Sequence, residues 1–199
     1  MLTVGITGGT GSGKTTISEE LKKEFGESDI GFISQDSYYN DNGNLSFDEK
    51  NKINFDHPNA IDFELMINHL NLLKNGKNIN QPVYSFIYHN RTEKTKLLKP
   101  KKIMIIEGLL ILNDIKLRDL IDHKVFVDAP KNLRIKRRLD RDINQRGRTA
   151  EEVIELFNSR LNKMHNLYVE PMKKNCDIII DNNNSLEIAP LINIIKSHL

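Results

Sequence analysis

Gly8, Gly13, Lys14 and Thr15 satisfy the spacing G-x-x-x-x-G-K-[ST] within Gly8-Gly9-Thr10-Gly11-Ser12-Gly13-Lys14-Thr15-Thr16. Glycines let backbone N–H groups curl around a phosphate with no Cβ in the way. A helix opening at Lys14 turns the positive end of its dipole toward the same anion. Lys14 can reach the outer phosphates, and the Thr15 hydroxyl can ligate Mg²⁺. The apolar, β-branched run before Gly8 is a strand, the context such a loop requires. These residues are expected to bind a nucleoside triphosphate.

Two acids sit where they can act on that ligand. Asp36 follows the apolar run Ile30–Ser34 in Gln35-Asp36-Ser37-Tyr38-Tyr39. A carboxylate beside a γ-phosphate can orient an alcohol and accept its proton, although Asp also favours turns. Glu107 ends Ile103-Met104-Ile105-Ile106-Glu107. An acid at the end of such a strand can hold Mg²⁺ directly or through water.

The third constellation is basic. Residues 131–148 hold Lys131, Arg134, Lys136, Arg137, Arg138, Arg141, Arg146 and Arg148 against Asp140 and Asp142. Arg134, Arg138 and Arg141 share one helical face, and Ile135, Leu139 and Ile143 form a packing stripe. Arginine forks suit phosphate oxygens, and Gly147 allows a turn. A lid over about 134–149 carrying arginine fingers is expected, with Lys14, Asp36 and Arg141 as the catalytic set. Aromatic residues do not interleave with these arginines, which argues against an RNA-binding surface. Elsewhere, Tyr84, Phe86 and His89 could hold a flat heterocycle by stacking and edge recognition. Phe55-Asp56-His57-Pro58 offers a carboxylate to sugar hydroxyls, with Asn59 as a candidate helix N-cap.

The elements that position these residues follow from the apolar pattern. Strand-length runs recur at Thr3–Thr7, Ile30–Ser34, Ile103–Ile106, Lys124–Val127 and Asp177–Ile180. Several are continuous rather than alternating, as in parallel sheets buried on both faces. Helices are expected over 14–25, 61–74 (with Gly76 as its stop), 150–168 and about 186–197. The fold class is therefore α/β, a doubly wound parallel sheet, with ligands at the carboxyl ends of its strands. Residues 82–98 read as an inserted β-hairpin with a polar turn.

The 199 residues suit one domain, 1–199, and 29 basic against 27 acidic residues leave a net charge of +2, too mild to imply nucleic acid or membrane partners. The single cysteine, Cys176, excludes an intramolecular disulfide and is expected to be buried. No run is long enough to span a bilayer, and a strand from residue 2 leaves no room for a signal peptide, so a cytoplasmic location is expected.

Taken in order, the segments GITGGTGSGKTT (5–16), QDSYY (35–39), NFDHPNAID (54–62), QPVYSFIYHNR (81–91), IIEGLLIL (105–112), VFVDAPKNLRIKRRLDRDINQRGR (125–148) and MHNLYVEPMKKNCDIII (164–180) resemble the bacterial uridine kinase (uridine–cytidine kinase) family across nearly the whole chain. The resemblance implies a P-loop kinase that transfers phosphate from ATP or GTP to the 5′-hydroxyl of uridine and cytidine. It implies Asp36 as the base, and Asp56 with Arg138 on the ribose. Tyr39, Phe55, Tyr84 and His89 would line the nucleoside pocket. Arg141, Arg146 and Arg148 would form the phosphate lid, and Thr15 and Glu107 the Mg²⁺ site. It further implies a homotetramer inhibited by CTP and UTP. Two positions depart from the pattern: Ser85, where many members carry an acid, and Leu156, where some carry a Gln.

The alternatives are a kinase of the same architecture acting on another small alcohol, phosphoribulokinase- or pantothenate kinase-like, and an inactive nucleotide- or RNA-binding regulator. A GTPase switch is disfavoured because Asn51-Lys52-Ile53-Asn54 lacks the Asp that reads guanine.

Overall fold

The computed structural model describes residues 1–26, 28–183 and 186–199, and the side chains of residues 145 and 146 also lie outside the description. The chain runs through β1 (Leu2–Gly8), α1 (Lys14–Phe25), β2 (Ile30–Ser34), a short α2 (Phe47–Asn51) and α3 (Phe63–Lys74). A hairpin of β3 (Ile79–Ser85) and β4 (Asn90–Leu98) follows. Next come β5 (Ile103–Glu107), a short α4 (Ile115–Asp119), β6 (His123–Asp128) and α5 (Lys131–Arg146). α6 (Ala150–Leu156) continues into a π-helical stretch at Phe157–Leu161, the turn α7 (Asn162–Met164) and a second π-helical stretch at His165–Val169. β7 (Ile178–Asp181) and α8 (Ala189–Lys196) follow.

Five strands form one parallel sheet in the order β2-β5-β1-β6-β7. The continuous apolar run of β5 splits between its two faces, as the two-residue period of a strand requires. Ile103 and Ile105 pack with Ile17 and Leu21 of α1 and with Leu191 and Ile195 of α8. Met104 and Ile106 pack with Met66, Leu70 and Leu73 of α3 and with Leu117 of α4. The sheet is thus covered on both sides, and its carboxyl edge is left for ligands. Among the described residues, no helix is long and apolar enough to cross a membrane.

The hairpin forms a separate two-stranded sheet, β3-β4. Arg91 docks it: Nη2 donates to Asp62 Oδ2 at 2.9 Å and Nε to the Tyr39 carbonyl at 2.9 Å. Its strands reach further than the pattern 82–98 implies, and the turn between them is Phe86-Ile87-Tyr88-His89, largely apolar rather than polar. His89 sits there at φ 49°, in the left-handed region.

Four other expectations need correction. α3 starts at Phe63, and its cap is Asp62, whose Oδ1 accepts from the Leu65 N–H, not Asn59. Residues Pro58–Ala60 instead form a 3₁₀ turn, and Ile61 is held extended by a bridge to Tyr39. The helix expected over 150–168 is interrupted by its two π-helical stretches, although Val153, Phe157, Leu161 and Met164 do line its buried side. The last helix is shorter than 186–197, starting at Ala189 with Pro190 in its first turn. Cys176 is half-buried, with its thiol pushed up to about 12, chiefly by burial.

Candidate active site

The phosphate loop is shaped by positive φ at Gly8 (147°), Gly11 (73°) and Gly13 (105°). A Cβ at Gly8 would overlap the Val127 carbonyl, one at Gly11 the Arg134 carbonyl, and one at Gly13 the Asn182 side chain. Glycine is therefore required here by neighbouring protein as well as by any ligand. Gly13 caps α1 without a side-chain acceptor, so the first-turn N–H groups face outward for an anion. Lys14 Nζ donates to the carbonyls of Gly8 (2.9 Å) and Gly9 (3.0 Å). Burial lowers its pKa to about 8, with Glu107 and Asp36 pulling the other way.

Ser34 pairs with Glu107 in the β2–β5 register, so both strands end at this loop. Thr15 Oγ1 lies 3.4 Å from Glu107 Oε2, and Ser34 Oγ lies 3.3 Å from Oε1. Burial raises the Glu107 pKa, opposed first by Lys14. A threonine hydroxyl and one carboxylate, both hard oxygen donors, meet the needs of Mg²⁺, which takes its remaining ligands from water and phosphate. Asp36 rides on the 3₁₀ turn Gln35–Tyr38, directly after β2. Gly108 leaves room for Gln35, whose buried Oε1 accepts from the Leu110 N–H at 2.6 Å and anchors that turn.

α5 buries a different face from the one its apolar residues suggest, turned about 100° around the helix. Arg134, Arg138 and Asp142 are at most 8% exposed, whereas Ile143 is 43% exposed and Ile135 and Leu139 are half-buried. The reason is charge compensation. Fully buried Asp142 accepts from Arg138 Nε (2.8 Å) and Arg141 Nε (3.0 Å), and Arg148 Nη1 lies 3.9 Å from it. Arg138 Nη1 also donates to Thr10 Oγ1 at 2.6 Å. A buried pair is stabilised when its remaining donors find acceptors, and here Thr10 of the phosphate loop takes one of them.

Opposite this face stands an aromatic group. Tyr39 lies 5.0 Å from Tyr84 and 5.4 Å from Phe55 between ring centroids, and Phe55 stacks on His89 at 5.1 Å. The Tyr84 hydroxyl is buried without a hydrogen-bond partner, and its pKa is raised by burial and by Asp36. The His89 pKa is lowered, first by burial and then by Arg148. Burial raises the Asp56 pKa, while Arg138 and Arg160 oppose it.

One cavity of about 490 Å³ joins these groups. It is lined by Thr10, Gly11, Gly13, Lys14, Thr15 and Thr16 of the loop and by the acids Asp36, Asp56 and Glu107. Tyr39, Phe55, Tyr84 and His89 and the cations Arg138, Arg141 and Arg148 complete the expected set. Gly8, Gly9 and Ser12 shape the loop from behind without lining the cavity. Arg146 ends α5, and its side chain lies outside the described residues. Phe86, Leu156, Arg137 and Arg160 also line the cavity. Arg137 lay within the basic run, and Arg160 stands four positions after Leu156, a spacing that could have flagged it. Arginines and Lys14 outnumber the acids, as a polyphosphate site requires.

The phosphoribulokinase / uridine kinase family model matches residues 3–189. A uridine kinase of Clostridium perfringens (strain SM101 / Type A) is 49% identical over 186 residues, which cover 94% of this chain and 89% of that protein. A uridine kinase of Clostridium botulinum (strain Okra / Type B1) is 47% identical over 94% of this chain and 90% of its own. Among solved structures, phosphoribulokinase from Rhodobacter spheroides superposes with a TM-score of 0.68 at 16% identity, over 94% of this chain and 72% of that one, a likeness of fold. The match across nearly the whole chain and the identity to these kinases agree: the protein belongs to the phosphoribulokinase / uridine kinase family.

Proposed function

We propose that the protein transfers the γ-phosphoryl group of ATP or GTP to the 5′-hydroxyl of uridine and cytidine, giving UMP and CMP for pyrimidine salvage. What carries this is the convergence of Lys14, Asp36 and the Tyr39–Phe55–Tyr84–His89 group on one cavity. The loop N–H groups and Lys14 bind the triphosphate. The base rests among the aromatic rings, and His89 reads the exocyclic group at position 4. Asp56, with Arg138, accepts the ribose hydroxyls. Asp36 orients the 5′-hydroxyl and takes its proton as the oxygen attacks phosphorus, and the donor leaves as its diphosphate. Arg141, Arg146 and Arg148 neutralise charge on the transferred group and close over it. Thr15 and Glu107 would hold Mg²⁺, which when bound neutralises charge on the phosphate oxygens.

The resemblance extends this to a homotetramer inhibited by CTP and UTP, and a donor drawn from the nucleoside triphosphate pool points to the cytoplasm. The test is a panel of nucleosides and small alcohols with ATP and Mg²⁺, followed by ADP release. Turnover of uridine and cytidine is expected. Turnover of a non-nucleoside alcohol with none of either nucleoside would overturn the acceptor.

A further inference from the structure

The cavity holds a cation, Arg160, to which the proposed reaction gives no role. Arg160 sits on the π-helical stretch Phe157–Leu161, and its side chain lines the cavity together with Leu156. Such stretches are rare and often mark functional sites. Arg160 Nη1 donates to the Ile53 carbonyl at 3.4 Å, at the start of the loop that carries Phe55 and Asp56. Asn54 of that loop reaches Met164 Sδ at 3.0 Å, which ties the loop to the same helical segment. The Arg160 Nε is buried and has no hydrogen-bond partner. A buried guanidinium N–H without an acceptor is costly, and it is tolerated where a ligand supplies one.

Asp56 stands within the field of this guanidinium and of Arg138. A carboxylate flanked by two guanidiniums matches a vicinal diol, because each hydroxyl can donate to the carboxylate while accepting from an N–H. We propose that Arg160 is a specificity-determining residue whose Nε–H donates to one hydroxyl oxygen of a cis-diol held by Asp56. The inference rests on the nucleoside acceptor proposed above and deepens it.

The experiment compares kcat/KM for uridine, 2′-deoxyuridine and 3′-deoxyuridine in the wild-type protein, Arg160→Met and Arg160→Gln, with a melting curve for each. Gln keeps an amide donor for the Ile53 carbonyl and lacks the Nε–H, so it serves if the Met variant does not fold. Both variants are expected to lose about tenfold to a hundredfold on uridine, mainly through KM, with no loss on the deoxynucleoside that lacks the hydroxyl Arg160 serves. An equal loss on all three substrates makes Arg160 only a latch on the Ile53 loop and overturns the proposal, as does no loss on any. A wild-type protein that turns over no nucleoside overturns the proposed function itself, an outcome distinct from either.

Discussion

Replacing Asp142 by Asn removes the counter-charge beneath the arginine face of α5 while preserving volume. Asp142 is fully buried and accepts from Arg138 at 2.8 Å and from Arg141 at 3.0 Å. Asn keeps one carbonyl oxygen and turns an NH₂ group toward a guanidinium. One charge-assisted hydrogen bond is lost, worth about 1.5–3 kcal/mol. Removing one partner of a buried pair costs about 3–5 kcal/mol, and the surviving bond puts this case at the lower end, about 3 kcal/mol. For a chain of this length that lowers the Tm by roughly 6–12 °C. Arg138, Arg141 and Arg148 all line the cavity, and an ångström of misplacement lowers kcat/KM by about a hundredfold. Calorimetric melting and ADP release with uridine measure the two effects. Asp140→Asn is the control: an exposed position on the same helix, expected to stay within about 0.5 kcal/mol of the parent. A Tm within 2 °C of the parent (roughly 0.5–1 kcal/mol) together with an unchanged kcat/KM would show that Asp142 is not the buried counter-charge described.

Asp36→Asn is expected to lower kcat by about 10²–10⁴-fold with ATP affinity intact by titration calorimetry; full activity would exclude Asp36 as the base. His165 is held neutral, its pKa lowered to about 4 by burial first and Arg134 second, while its Nε2 lies 3.2 Å from Glu170, an acceptor that a neutral ring can also serve. Unfolding therefore takes up a proton between pH 6.5 and 4, so this site's stability is fully present above pH 6.5 and falls by about 2 kcal/mol at pH 5. Urea midpoints at pH 7 and 5 check it, and an equal pH dependence in His165→Asn would refute it. Arg91→Ala unties the hairpin from Asp62 and Tyr39, and a rise of about tenfold in KM for the nucleoside is expected, with the KM for ATP unchanged. An unaltered nucleoside KM would mean that this tether does not hold the aromatic wall.

Local chemistry was the most legible part of the chain. The phosphate loop is a contiguous pattern, and the strand-end rule for parallel sheets puts Asp36 and Glu107 beside it. The buried face of α5 was not legible, because an apolar count expects Ile135, Leu139 and Ile143 to point inward. One buried carboxylate, Asp142, reverses that by neutralising its own helix's arginines. Arg160 escaped because its role depends on the loop at 53–56, more than a hundred positions away in the chain. The α3 cap fell on Asp62 instead of Asn59 because Ile61 is fixed by a tertiary bridge to Tyr39, which no local preference encodes.

The close fit of Gly11 beneath the Arg134 carbonyl makes that point a fulcrum. The first turn of α5 is seated against the phosphate loop there, so a tilt of the helix would pivot near Arg134. With a rise of 1.5 Å per residue, Arg138 lies about 6 Å along the lever and Arg141 about 10 Å. The same tilt therefore carries Arg141 nearly twice as far as Arg138. Beyond them Gly147, at φ 66°, ends the helix, and its N–H and that of Arg148 both donate to the Asp142 carbonyl. Substitutions near Arg134 would change how the lever is seated, and substitutions near Gly147 would change how Arg148 is tied to its end.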